Sequence, residues 1–108
     1  MTIKKEYIKA VGGENKFLRC ELYYDLGGIN YFTHENEPRG YYVSVTPVER
    51  KVGDRYATET VVAFSGIKCN ALQVNRKSKK AEASALEKYE EVKNAIIEKH
   101  FPNMVAEG

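Results

Sequence analysis

Between Phe17 and Leu26 every second residue is apolar. Leu18, Cys20, Leu22, Tyr24 and Leu26 alternate with Arg19, Glu21, Tyr23 and Asp25. A period of two is the spacing of a β-strand with one buried and one solvated face, and a slip of one residue would invert every side chain. This segment must therefore sit in a sheet, in one register, with something apolar laid over one face.

The neighbouring segments supply the sheet. Residues 3–11 read as a short strand, closed by the turn residues Gly12-Gly13-Glu14-Asn15. Gly27-Gly28 breaks or bulges the strand that follows, and Asn30 to Phe32 is expected to extend it. His34 to Arg39 is a polar turn, so the aromatic stretch around it should be a loop displayed on a β-hairpin. Tyr41 to Val48 is the next strand, with Pro47 expected to mark a sheet edge because it cannot donate to a ladder. Lys51-Val52-Gly53-Asp54 closes a hairpin onto a third strong strand, Arg55 to Phe64, rich in Thr, Val and aromatics. Residues 67–77 fit a brief strand or the approach to a helix.

From Ser78 the period changes. Ala85, Tyr89, Val92 and Ile96 recur at spacings of four, three and four, and Leu86 and Ile97 widen the stripe. Glu87, Glu90, Glu91, Lys93 and Glu98 fall on the other face. Glu87 and Glu91 are a like-charge pair one turn apart, which stability alone would not select. Pro102 stops the helix near His100. The expected fold class is α+β: a three- to four-stranded antiparallel meander with one long C-terminal helix packed on one face. At 108 residues it should be a single domain, with 1–15 as an N-terminal edge strand and turn and 103–108 as a frayed tail.

Charge separates along this framework. The net charge is +2, but residues 55–81 hold six cations and one acid, while residues 82–108 hold six acids and three cations. So small a net charge argues against whole-protein mimicry of DNA and against a dedicated strong DNA binder, leaving local patches of either sign. The two cysteines, Cys20 and Cys69, have no disulfide spacing and read as reduced, small apolar side chains of a cytoplasmic protein. No segment approaches the ~20 apolar residues of a membrane span, and the first residues lack an apolar signal core.

Catalytic and cofactor motifs are missing from the sequence. No Ser or Cys stands in a nucleophile-elbow context, and no carboxylates are flanked as a catalytic pair. A site assembled in space around His34 is the remaining enzymatic option. Cys20, Cys69, His34 and His100 show none of the short spacings of a zinc site. Gly12-Gly13 and Gly27-Gly28 precede strands and so cannot be phosphate loops. The chain is expected to act without catalysis, cofactor or metal.

Two binding surfaces can be read from the residues. The first is a partner-binding surface. It comprises Tyr31, His34, Glu35, Glu37 and Arg39 in the loop, where Tyr and Arg are the residue types that anchor interfaces, together with the acidic helix residues Glu87, Glu90, Glu91 and Glu98. The second is for nucleic acid. Arg76, Lys77, Lys79 and Lys80 stand at the helix start, and Tyr23, Tyr24, Tyr31, Phe32, Tyr41, Tyr42, Tyr56 and Phe64 lie on or near the sheet, where exposed rings could stack bases. Arg39-Gly40-Tyr41-Tyr42-Val43 matches part of the RNA-recognition-motif signature, but no helix separates the first two strong strands, as that fold requires.

Three strings carry a family resemblance. They are Tyr24 to Thr33 (YDLGGINYFT), Pro38 to Arg50 (PRGYYVSVTPVER) and Ala63 to Lys68 (AFSGIK). Together, over roughly residues 22–100, the chain resembles small proteins carried by phages and mobile elements of gut bacteria, a group that includes type II anti-CRISPR proteins, which inhibit Cas9. The resemblance implies a non-enzymatic inhibitor that acts in the cytoplasm of the bacterial host by binding, with Cas9 or its guide-RNA complex as partner. It assigns a role to no individual residue. A nucleic-acid-binding accessory protein is the alternative, and the chain is expected to be a monomer or a homodimer.

Overall fold

The computed structural model describes residues 2–11, 14–29, 34–52, 57–61 and 66–104. In chain order the elements are β1 (Thr2–Lys9), β2 (Lys16–Asp25), β3 (Gly28–Ile29), β4 (Asn36–Glu37), β5 (Gly40–Val52), β6 (Ala57–Val61), β7 (Ile67–Gln73) and α1 (Lys79–His100). The fold is α+β, an antiparallel sheet with one long C-terminal helix packed against it.

The β2–β5 ladder is the centre of the sheet. It runs without a slip from Lys16↔Glu49 to Asp25↔Gly40. This register stacks Leu18, Cys20, Leu22 and Tyr24 beside Pro47, Val45, Val43 and Tyr41 on one face. Helix α1 covers that face with Ala85, Tyr89 and Ile96, and Phe101 closes the end. Leu18, Leu22, Val43 and Val45 have no solvent exposure, and each such burial contributes roughly 1.5–3 kcal/mol. Strand β1 pairs with the outer side of β2, as an N-terminal edge strand should.

On its other side β5 carries β7 along its first half and β6 along its second. Residues 67–73 are thus a strand, not the approach to the helix, because Ile67 and Leu72 find partners at Val45 and Tyr41. Pro47 does not lie on an edge strand, since β5 carries β2 on one side and β6 and β7 on the other, but at Pro47 itself only the β2 side is paired among the described residues. The proline is accommodated at a mismatch: Val48 pairs with Val61 and Val45 with Ile67, so three steps along β5 face six steps along the neighbouring chain. A regular ladder cannot bridge that interval, and Pro47 lies within it. Gly66 is needed just beyond, because a Cβ there would strike Thr46 Oγ1 and the Val45 carbonyl.

The helix begins where Ser78, in extended conformation, accepts a hydrogen bond from the Ala81 amide at 3.0 Å. It ends at Phe101, whose amide donates to the Ile97 carbonyl at 2.8 Å. No helix among the described residues is long and apolar enough to cross a membrane. The chain after the helix is anchored as far as Met104, whose carbonyl accepts from the Val11 amide at 2.8 Å. The expected fraying from Asn103 does not hold at Met104, and residues 105–108 lie outside the described residues.

Two helix positions depart from the sequence pattern. Leu86 is 41% exposed instead of widening the apolar stripe. Lys93 is buried, because four residues of helix turn it only about 40° from Tyr89, which keeps it on the sheet side. Its ammonium meets Glu6 of β1 at 2.6 Å and Glu90 at 2.7 Å. Burial disfavours the lysine charge, but the two carboxylates outweigh it and hold its pKa above the ordinary value. Burial also pushes Glu6 upward, and the Lys93 contacts outweigh that and hold it below the usual carboxylate range. The buried Tyr89 hydroxyl beside them makes no hydrogen bond of ordinary geometry, although its electrostatic influence on Glu6 has the same downward sign.

The Glu6 side chain is 30% exposed and that of Glu90 57%. Glu6→Gln should therefore cost more in urea denaturation than Glu90→Gln, by up to the ~1.5–3 kcal/mol of a charged hydrogen bond. The depressed Glu6 pKa stabilises the fold above the unfolded carboxylate pKa, and this is lost as pH falls through the lower folded value. The raised Lys93 pKa stabilises it below the unfolded lysine pKa, and this is lost as pH rises through the higher folded value. Glu6→Gln should flatten the acid limb of the stability profile.

Candidate functional site

The expected loop surface is built at the end of β2. Asp25 Oδ1 accepts the Gly27 amide at 2.7 Å, the turn an Asp makes with the residue two ahead. Gly27 has φ +76°, and a Cβ there would strike the Glu37 carbonyl. Beyond it β3 and β4 form a two-residue ribbon, Gly28↔Glu37 and Ile29↔Asn36, a pairing that the sequence pattern did not suggest. Tyr31 lies outside the described residues. His34 is exposed with φ 59°, and Glu35 is exposed beside it.

The remaining loop residues turn in two directions. Glu37 reaches Lys68 on β7 at 2.6 Å. Arg39 turns toward the segment before the helix: its Nη1 donates to the Asn75 carbonyl at 3.4 Å and its Nε to the Leu26 carbonyl at 3.3 Å. The Arg39 carbonyl accepts the Val74 amide at 3.1 Å. Loop and helix candidates, placed on different surfaces by the sequence, thus meet at this end of the molecule.

The basic cluster is the part of the site that gains most. Arg76, Lys77, Lys79 and Lys80 are all exposed. Lys77 Nζ stands 5.5 Å above the Tyr24 ring, and the Tyr24 hydroxyl makes a long hydrogen bond, 3.5 Å, to the same Asn75 carbonyl that accepts Arg39. Five cations from two distant segments therefore surround the start of α1. Cations here oppose the helix dipole, at ~0.3–1 kcal/mol each for those in the first turn. Only Glu82 in that turn has the favourable sign. The arrangement gives up stability and gains a local positive potential.

The acidic face is smaller than expected. Glu87, Glu91 and Glu98 are exposed, and a rotation of about 100° per residue puts them on the side of α1 away from the sheet. Glu90 is held by Lys93 at 2.7 Å and lies 3.9 Å from Lys4, so it serves the fold.

The sheet aromatics are mostly core. Tyr24, Tyr41 and Tyr42 are buried, with the Tyr42 hydroxyl donating to the Pro38 carbonyl at 2.5 Å. Tyr23 is half-buried and stacked on Tyr42 with centroids 6.0 Å apart. Burial, aided by Asp25 and Glu37, pushes its pKa up to about 12. These rings offer no platform for bases. Phe32, Tyr56 and Phe64 lie outside the described residues. The sequence reading missed a different constellation, Tyr7, Phe17 and Arg50, on the sheet face opposite α1. The alternation Lys5, Tyr7, Lys9 was its one visible signal.

An open groove of about 450 Å³ runs between α1 and β7. It is lined by Cys69, Val92, Ala95, Ile96, Lys99 and His100 among others. Cys69 is an exposed residue within β7, not an apolar core side chain, whereas Cys20 is fully buried and its pKa is pushed up to about 12 by burial. One thiol should react with a maleimide in the native protein and a second only after denaturation. Mass spectrometry of the labelled chain checks this.

No protein-family model, curated protein or solved structure matches the chain.

Proposed function

We propose that this chain is a small, non-enzymatic protein of a phage or mobile element that binds and inhibits a host defence nuclease, most directly Cas9 loaded with its guide RNA. The observation that carries the reading is the two-signed character of α1. Its start gathers Arg39, Arg76, Lys77, Lys79 and Lys80, while Glu87, Glu91 and Glu98 stand on its outward face. A guide-loaded nuclease offers both complements, a phosphate backbone and the basic channel that holds it. The resemblance read from the sequence over residues 22–100, to small phage and mobile-element proteins whose group includes Cas9 inhibitors, is in keeping with this reading.

Plasmid cleavage by guide-loaded Cas9 enzymes of gut bacteria, with and without the protein, tests it. Loss of cleavage with co-elution on gel filtration is the expected result. Arg76→Glu/Lys77→Glu and Glu87→Lys/Glu91→Lys/Glu98→Lys variants should fold normally and each lose at least about tenfold in inhibitory potency, since a single charge contact removed can cost 1–3 kcal/mol. Full inhibition by both variants would remove α1 from the site.

A second reading, a nucleic-acid-binding accessory protein, is favoured by the convergence of Arg39 on the helix-start cations. It predicts oligonucleotide affinity that falls steeply with salt. An absent or salt-independent shift would sink it.

A further inference from the structure

The face of the sheet opposite α1 carries a cation that no acid among the described residues pairs with. Arg50 of β5 stacks its guanidinium 4.0 Å from the Tyr7 ring centroid and 6.0 Å from that of Phe17. The two rings are edge to face, 6.3 Å apart. Lys9 lies 5.1 Å from the Phe17 ring and Lys5 5.7 Å from the Tyr7 ring. Three cations, two from β1 and one from β5, thus gather around one aromatic pair drawn from β1 and β2.

The natural counter-ion is spent elsewhere. Glu59 stands directly opposite Arg50 in the β5–β6 ladder. One of its carboxylate oxygens accepts the Tyr7 hydroxyl at 3.0 Å and the other accepts Arg19 Nη1 at 2.8 Å. These bonds outweigh the opposing effect of burial and hold Glu59 below the usual carboxylate range, so it stays charged and engaged. Lys5 is 3.8 Å from Glu21, and Lys9 is turned to the Glu14 carbonyl. The half-buried guanidinium of Arg50 makes no side-chain hydrogen bond or ion pair among the described residues. A guanidinium has five donors in a rigid fork, and here it stacks on the rings while no described residue accepts from those donors.

We infer that this face, around Arg50, Tyr7, Phe17 and Lys9, is a contact site for single-stranded nucleic acid. The Arg50 donors take a backbone phosphate, Lys9 adds a second positive charge, and an unpaired base lies against the guanidinium–ring stack. Single strands are selected because a paired base has no free face to offer. The inference rests on the nucleic-acid contact in the reading above and adds a second surface to it, at the far end of β5 from the helix-start cluster.

Fluorescence anisotropy of the whole protein with labelled dT20, with an abasic chain of equal phosphate number and with polyglutamate as competitor tests it. Arg50→Gln and Lys9→Gln keep most of each side chain and place no new charge beside Glu59, and an unchanged thermal melt verifies their folding. Each should weaken dT20 binding by about tenfold or less and lower the salt slope by about one. The abasic chain should bind about tenfold more weakly than dT20. Parent-like dT20 binding by both variants, with binding lost in Arg76→Glu/Lys77→Glu, would overturn this site and leave the nucleic-acid reading standing. Equal affinity for the abasic chain, equal competition by polyglutamate, or no dT20 binding by the parent would also overturn it. The cleavage assay decides the inhibitor reading separately.

Discussion

The ten-residue ladder between β2 and β5 is the constraint on which the rest of the molecule hangs. It runs from Lys16↔Glu49 to Asp25↔Gly40 without a bulge. Because side chains alternate, this one register decides which residues meet the helix and which meet solvent. Strand β1 is added to one flank, and β6 and β7 to the other. The core requires it in return, since Leu18, Cys20, Leu22, Val43 and Val45 close into one cluster only in this alignment.

The two sheet faces solve their polarity differently. On the helix side one charge is buried, and it is matched: Lys93 meets Glu6 and Glu90 and ties α1 to the edge strand β1. An apolar residue there would pack as well or better, so the ion pair is better read as fixing the helix's position than as adding stability. On the opposite face charges and rings interleave, and Glu59 accepts from both the Tyr7 hydroxyl and Arg19 Nη1. Among the described residues Arg50 has rings instead of an acid against its guanidinium.

The sequence disclosed the fold better than the site. A strict period of two at Phe17 to Leu26 and a run of four, three and four from Ala85 to Ile96 are each read from local spacing, so strand, helix and fold class were legible. Long-range partners were not. Nothing local to Lys93 reveals that Glu6, eighty-seven residues away, will hold it. Arg39 and Arg76 looked like members of different surfaces, and they are neighbours because β5 and β7 pair and bring Asn75 beneath Arg39. The tyrosines misled because a ring on a strand reads alike whether it faces water or a helix. Tyr41 and Tyr24 fill the core that a small sheet without tryptophan needs filled.

The mismatch beside Pro47 also shapes the edge of the sheet. With six steps of chain set against three of β5, the outermost row is divided into two short strands, each anchored to β5 by its own register. Neither offers the long, flat row of free amides and carbonyls on which a foreign strand could template itself. The two halves are also held independently. β6 keeps its register through Val48 and β7 through Val45, so either can loosen from β5 without pulling the other out of step.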